Sequence, residues 1–317
     1  MIKVLSARSS DASTLGKSSR LAVLASFAAI YFLYGGTYLA IALGLRSIPP
    51  FLLMGSRSIL GGAVLLLISR IQGSKLRPAE DWLHAAISGT LLFLGCHGAL
   101  AYAERFVPSG ISAVVLATIP FWIILVNLAI GRREPWQELV GLVPGFLGVT
   151  IIALLGSPKG NQPVLPAMIA LLLGSSLSWA LGTVYVQSRA IHIPSHDLAG
   201  MQLICGGAGL LALSLASGEL THFNPQKVTA ISLLGMLYLA LLGSALGNTA
   251  YLWLLDRMPA PIVATYTFVN PVIALILGWW LLGERITLIS GLGIVLVIGS
   301  VVLLQLFKAR SNSRFVQ

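Results

Sequence analysis

From Leu21 to Leu45 the chain carries no Asp, Glu, Lys or Arg. A helix of that length at 1.5 Å per residue spans the roughly 30 Å hydrocarbon core of a bilayer. Similar apolar runs recur, and the pattern predicts spans near 21–45, 51–70, 82–104, 109–130, 136–156, 164–187, 197–217, 229–255, 260–282 and 287–307. Composition agrees: 56% of residues are hydrophobic and 9% are charged, against about 25% charged in a soluble domain. So few charges cannot cover a soluble surface. The chain is predicted to be all-α, a polytopic membrane protein of ten transmembrane helices.

Residues 1–20 are Ser-rich and basic and are expected to be a cytoplasmic tail, as are 308–317. The first apolar run is longer than a secretory signal core and has no clear small-residue cleavage site, so it is expected to be a span. The net charge of +10 would point to nucleic acid in a soluble protein. In a membrane chain it reads as cytoplasmic loop charge. With the N-terminus inside, the inner side holds Lys3, Arg8, Lys17 and Arg20 of the tail. It also holds the loop residues Arg70, Lys75, Arg77, Arg132, Arg133, Arg189 and Arg257, and the C-terminal Lys308, Arg310 and Arg314. The outer loops hold only Arg46, Arg105, Lys159, Lys227 and Arg285. That asymmetry places both termini in the cytoplasm and requires an even number of spans.

The chain repeats itself. Glu104-Arg105-Phe106-Val107-Pro108 closes the third span and Asp256-Arg257-Met258-Pro259 the eighth. Each has Ala-Tyr upstream, at Ala101-Tyr102 and Ala250-Tyr251, and a mid-span proline downstream, Pro120 and Pro271. Gly36-Thr37-Tyr38 in the first span answers Gly182-Thr183-Val184-Tyr185 in the sixth. A repeat of five spans is odd, so its second copy enters the membrane the other way up. The expected organisation is a first five-helix repeat over 21–156 and a second, inverted, over 164–307, with a site near the midplane between them.

On these motifs the sequence resembles the drug/metabolite transporter superfamily, in its ten-helix EamA-type branch. The residues that carry the resemblance are Tyr34-Gly35-Gly36-Thr37-Tyr38, Arg57, Val107-Pro108-Ser109-Gly110 through Pro120, and Asn270-Pro271 through Gly283-Glu284-Arg285. It covers about residues 20–307. Relatives often have Trp-Gly where this chain has Tyr34-Gly35, which alters the cavity wall. The resemblance implies a carrier that exports or exchanges small metabolites, amino acids and related compounds. The expected setting is the cell (inner) membrane.

Lipid offers no hydrogen bonds, so polar groups at depth face protein or water. Arg57 lies about 10 Å into the second span at 1.5 Å per residue. Two roles fit it: an anchor for a substrate carboxylate or phosphate, or a structural group that caps carbonyls or pairs with Glu104. His97 sits mid-span and fits either a proton relay or a neutral packing histidine. Glu104, Glu134, Asp256 and Glu284 stand at or near span ends, which favours exchange or uniport over strong ion coupling. Tyr34, Thr37, Tyr102, Asn127, Gln202, Asn248, Tyr266 and Asn270 are uncharged candidates to orient a substrate or to bond helix to helix. Asn270 is the strongest of them, because Pro271 frees a backbone carbonyl beside it. Trp179, Trp279 and Trp280 read as packing or interface residues.

Gly141, Gly145 and Gly148, with Gly291, Gly293 and Gly299, allow close helix approach within a monomer or across a homodimer. Cys96 and Cys205 read as packing residues. Gly16-Lys17-Ser18 lacks the upstream glycine of a phosphate loop, since Asp11 stands there. His192 and His196 are separated by Pro194, and no zinc or nucleophile-elbow motif exists. No enzyme activity, cofactor, metal or nucleic-acid partner is therefore expected. The expected partners are a small-molecule substrate and the lipid bilayer. A non-transporting receptor or assembly scaffold is the alternative.

Overall fold

The computed structural model describes residues 17–75, 77–132, 140, 143–145, 147, 148, 151, 165–189, 193–258, 260–264, 266–283, 287–289, 291–296, 298–300, 302 and 303. Everything described is helix or connection. The long helices are α1 (Lys17–Gly44), α2 (Pro50–Ile71), α3 (Ala79–Ala103), α4 (Ser109–Ala129), α5 (Pro166–Ser188), α6 (Ser195–Ala216) and α7 (Ala230–Arg257). All seven are long and apolar enough to cross a membrane. The shorter α8 (Tyr266–Leu277) runs on through a π turn at Gly278–Leu282. α9 (Gly291–Ser300) is also apolar. The expected fifth span lies mostly outside the described residues.

Proline starts five of these helices. Pro50 and Pro166 occupy the first turn of α2 and α5, where no helical donor is lost. Pro78, Pro108 and Pro194 sit at the N-caps of α3, α4 and α6 with extended backbone. Glycine stops four of them: Gly73 (φ 85°) follows α2, Gly131 (φ 80°) α4, Gly218 (φ 72°) α6 and Gly283 (φ 67°) α8. Left-handed backbone at that position costs glycine nothing.

α2 and α6 form the broadest contact, running antiparallel. Around them α1 packs on α7 and α8, α3 on α5 and α6, α4 on α5 and α8, and α7 on α2 and α6. Small residues set the spacing. A Cβ on Gly61 would stand 2.5 Å from the Ala240 carbonyl oxygen, and one on Gly89 2.4 Å from that of Gln202. The helix backbones therefore touch, as expected where apolar burial between helices gains nothing over lipid. Leu21, Ile71, Trp279, Trp280 and Leu288 are exposed, which fits a lipid-facing surface.

Several helices are not uniform: α8 ends in the π turn above, and α4 breaks at Ala117-Thr118. α3 is π-helical over Thr90–Gly98, and α7 over Tyr238–Gly247. A π segment adds a residue per turn, widens the helix and re-aims side chains; it is frequent at functional sites.

Candidate functional site

Both π segments adjoin Arg57. The side chain is 2% exposed, at mid-depth on α2. Its Nη1 donates to Ser244 Oγ at 3.1 Å, from the π segment of α7. Tyr34 of α1 and Cys96 and His97 of the α3 π segment lie within electrostatic reach of Arg57. Nε and Nη2 have no hydrogen-bond partner among the described residues. Each buried donor left unmade costs about 1–3 kcal/mol. Nε and an Nη are the geometry that grips carboxylate or phosphate through two parallel bonds. The pairing with Glu104 considered from the sequence is not among the contacts of Arg57.

Beside Arg57 stands an aromatic cluster. The Tyr34 ring meets Tyr266 edge-on, with centroids 5.2 Å apart at 70°, and Trp179 at 6.3 Å. Tyr251 lies 5.9 Å from Tyr266 and 5.4 Å from Trp179. His97 joins through Trp179 at 5.3 Å and backs onto Phe93 at 5.2 Å. Edge-to-face pairs add about 0.5–1.5 kcal/mol beyond burial. The cluster draws on α1, α3, α5, α7 and α8, so it ties together elements far apart in sequence. The Tyr251 hydroxyl is fixed by Thr183 Oγ1 at 2.6 Å.

Unmet acceptors flank the rings. Gln202 Nε2 donates to Ser88 Oγ at 2.8 Å, and Asn248 Nδ2 donates to Gln202 Oε1 at 3.4 Å. That chain ends at Asn248 Oδ1, which has no partner among the described residues. Asn270 Oδ1 is likewise buried without one. Ser244, Asn248 and Tyr251 recur at i, i+4 and i+7 and so share one face of α7. Tyr266 and Asn270 stand one turn apart on α8. His97 Nδ1 is a further unpartnered atom.

Tyr34, Arg57, His97, Asn248, Tyr266 and Asn270 thus come together in the buried core. Thr37 is one turn from Tyr34, but its hydroxyl is engaged with the Tyr34 carbonyl at 2.6 Å. Tyr102 lies elsewhere: it stacks on Phe51 at 5.9 Å and 10°, with the Arg105 guanidinium 5.6 Å from its centroid. Asn127 accepts from Arg132 Nη1 at 3.1 Å. Sequence reasoning left out Trp179, Tyr251 and Ser244 as site residues. Tyr251 was visible in the repeated Ala-Tyr pair; the other two carry no local signal.

Two carboxylates unremarked in the sequence also have buried roles. Asp197 accepts from Ser69 Oγ and from Arg77, whose Nε lies at 2.9 Å. Glu219 accepts from the backbone N–H of Phe51 (3.1 Å) and Leu52 (2.9 Å) and from Ser214 Oγ (2.7 Å).

The described residues hold no cluster of three or more His, Cys, Asp or Glu able to bind a metal. The chemistry on offer is recognition: one anion fork, aromatic walls and amide oxygens.

The model of the EamA-like transporter family matches this chain twice, over residues 20–154 and 166–306. This chain belongs to the EamA-like transporter family. Among its relatives, the "uncharacterized inner membrane transporter YedA" of Escherichia coli (strain K12) is 35% identical, with 88% of this chain and 89% of that one covered. The "uncharacterized transporter YvbV" of Bacillus subtilis (strain 168) is 30% identical, with 90% and 91% covered. A solved crystal structure at 19% identity superposes with a TM-score of 0.65 over 90% of this chain and 98% of that one, which shows a shared fold. This EamA-like chain is a multi-pass membrane protein, and its similarity to named transporters supports a membrane transporter.

Proposed function

We propose that the chain is a secondary transporter of a small metabolite bearing an anionic group, an amino acid or similar compound. The observation that carries this reading is Arg57: buried, charged, and with two donors of its fork unmet. A carboxylate laid on Nε and Nη2 would satisfy both. Charge-assisted bonds of that kind contribute about 1.5–3 kcal/mol each. The aromatic walls then fit an apolar body, and Asn248 and Asn270 offer acceptors for a donor group on the same molecule.

Alternating access between two inverted halves is the mechanism we favour. Several observations support such halves. Exchanging α1 with α5, α2 with α6, α3 with α7 and α4 with α8 turns nearly every helix contact into another observed one: α1–α8 becomes α5–α4, and α2–α7 becomes α6–α3. Two of the three π segments fall on the exchanged pair α3 and α7, and the third ends α8. The left-handed glycines also fall on exchanged pairs, Gly73 and Gly218 after α2 and α6, Gly131 and Gly283 after α4 and α8. Two successive family matches of similar length agree with the same plan. Loop charge supports cytoplasmic termini, and the name of one relative supports the inner membrane. Among the described residues the ring cluster itself holds no carboxylate, and the buried Glu104 lies near Tyr38 at its margin; export or exchange is the direction we favour.

The test is uptake and efflux in proteoliposomes with labelled amino acids and monocarboxylates. Transport of at least one anion, lost in Arg57→Gln while the variant keeps its melting profile, is the expected result. A folded protein that moves none of them in either direction would favour a receptor or scaffold.

A further inference from the structure

The contact between α2 and α6 runs the length of both helices. Gly55 lies against Leu211, with its Cβ position 3.0 Å from the Leu211 backbone nitrogen. A Cβ on Gly207 would stand 3.0 Å from Ser58 Cβ and 3.1 Å from the Ile59 nitrogen. A Cβ on Gly62 would stand 2.9 Å from the Gly200 carbonyl oxygen. The partner's number falls steadily as the residue number rises, so the two backbones follow each other along their length.

Each end of this pair is closed by a buried or half-buried carboxylate. At one end Asp197, in the first turn of α6, accepts from Ser69 in the last turn of α2 and from Arg77 just beyond it. At the other, Glu219, just after α6, caps the first amides of α2 at Phe51 and Leu52 and takes the Ser214 hydroxyl. Rocking of the halves about this contact would have to pull a carboxylate away from its donors in each half-cycle. It would also have to separate glycine faces whose backbones touch. Both are costly: the first breaks several hydrogen bonds at one end, and the second gives up close backbone packing along the helices. Helix α2 is also the element that carries Arg57.

We infer that α2 and α6 stay joined throughout the transport cycle as a fixed spine, with Asp197 and Glu219 as positioning residues at its two ends. Access then alternates by movement of the surrounding helices past a stationary Arg57. The inference rests on the alternating-access reading above and narrows what moves.

The test uses the full chain with Cys96→Ser, Cys205→Ser and Asn270→Cys as a central reporter for a membrane-impermeant maleimide. Labelling is measured on right-side-out and inside-out vesicles. Two cysteine pairs lock the spine near opposite ends: Gly55→Cys with Leu211→Cys, and Leu66→Cys with Gly200→Cys. In both, the leucine Cγ, whose place a cysteine Sγ takes, stands 2.8 or 3.0 Å from the glycine's Cβ position. A third pair, Leu43→Cys with Gly235→Cys, locks α1 to α7 with Cβ positions 3.5 Å apart, within disulfide range. Each variant serves as its own control before oxidation and after reduction.

The expected result is labelling from both sides that stays within twofold when either spine pair is oxidised. The α1–α7 lock should reduce labelling from one side tenfold or more. A tenfold one-sided loss on locking the spine overturns the inference, and so does failure of both spine pairs to cross-link. Labelling from one side only in the unlocked protein overturns alternating access itself and takes the spine with it.

Discussion

Arg57 and Ser244 stand 187 positions apart in sequence, yet the one side chain donates to the other at 3.1 Å in the buried core. Ser244 fixes one nitrogen of the guanidinium and leaves the other two free to meet a ligand. Arg57→Lys keeps the charge and loses the fork, so carboxylate binding should weaken about tenfold or more, near 1.4 kcal/mol per decade. Ser244→Ala should weaken it less, about three- to fivefold, because only orientation is lost. Thermal stabilisation by a panel of amino acids and monocarboxylates reads both.

Trp179 touches Tyr34, His97 and Tyr251. Truncation to alanine removes the hub of the cluster and should cost about 3–5 kcal/mol. Tyr251→Phe removes only the hydroxyl bonded to Thr183 and should cost about 1 kcal/mol. Unfolding midpoints in detergent should rank wild type above Tyr251→Phe above Trp179→Ala.

Tyr266 and Tyr102 make a paired control. Tyr266→Ala opens the wall beside Tyr34 and Tyr251 and should change both ligand affinity and stability. Tyr102→Ala disturbs the stack on Phe51 and should leave affinity within about twofold. Equal losses of affinity in the two variants would remove the cluster from the binding site.

Asp197→Ala strips acceptors from Ser69 and from Arg77. Arg77 is 27% exposed and can recover water, so the loss should fall near 2–3 kcal/mol, below that of a fully buried pair. Asp197→Asn keeps some of the hydrogen bonding and should recover about half. The melting midpoint checks both.

Gly61→Val would drive its side chain into the Ala240 carbonyl, 2.5 Å from the Cβ position, at the π segment that holds Ser244. Overpacking there should cost about 1–3 kcal/mol or more. It should also weaken anion binding through the displaced Ser244. Stability and ligand-induced thermal shift should fall together.

Much of the architecture was written locally. Apolar length gave the seven long apolar helices of the described residues, because a bilayer has a fixed thickness. Pro50, Pro78, Pro108, Pro166 and Pro194 stand at helix starts in the structure, because proline belongs in a first turn or just before it. Arg57, Asn248, Tyr266 and Asn270 could be nominated because a polar group in lipid needs a reason to be there. Asn270 could be ranked because Pro271 follows it.

The rest depended on which helices meet. No local pattern distinguishes Tyr266, inside the cluster, from Tyr102, outside it: both are tyrosines in apolar spans. Trp179 read as packing until α5 was set against α1, α3 and α7. Asp197 and Glu219 drew no notice in the sequence because their donors sit on another helix. Sequence by itself determined that this chain spans a membrane and which few polar groups it carries there, because transfer energy and helix geometry are properties of single segments. Only the tertiary structure decided which of those groups share a site, because their hydrogen bonds and ring contacts join residues that the chain keeps far apart.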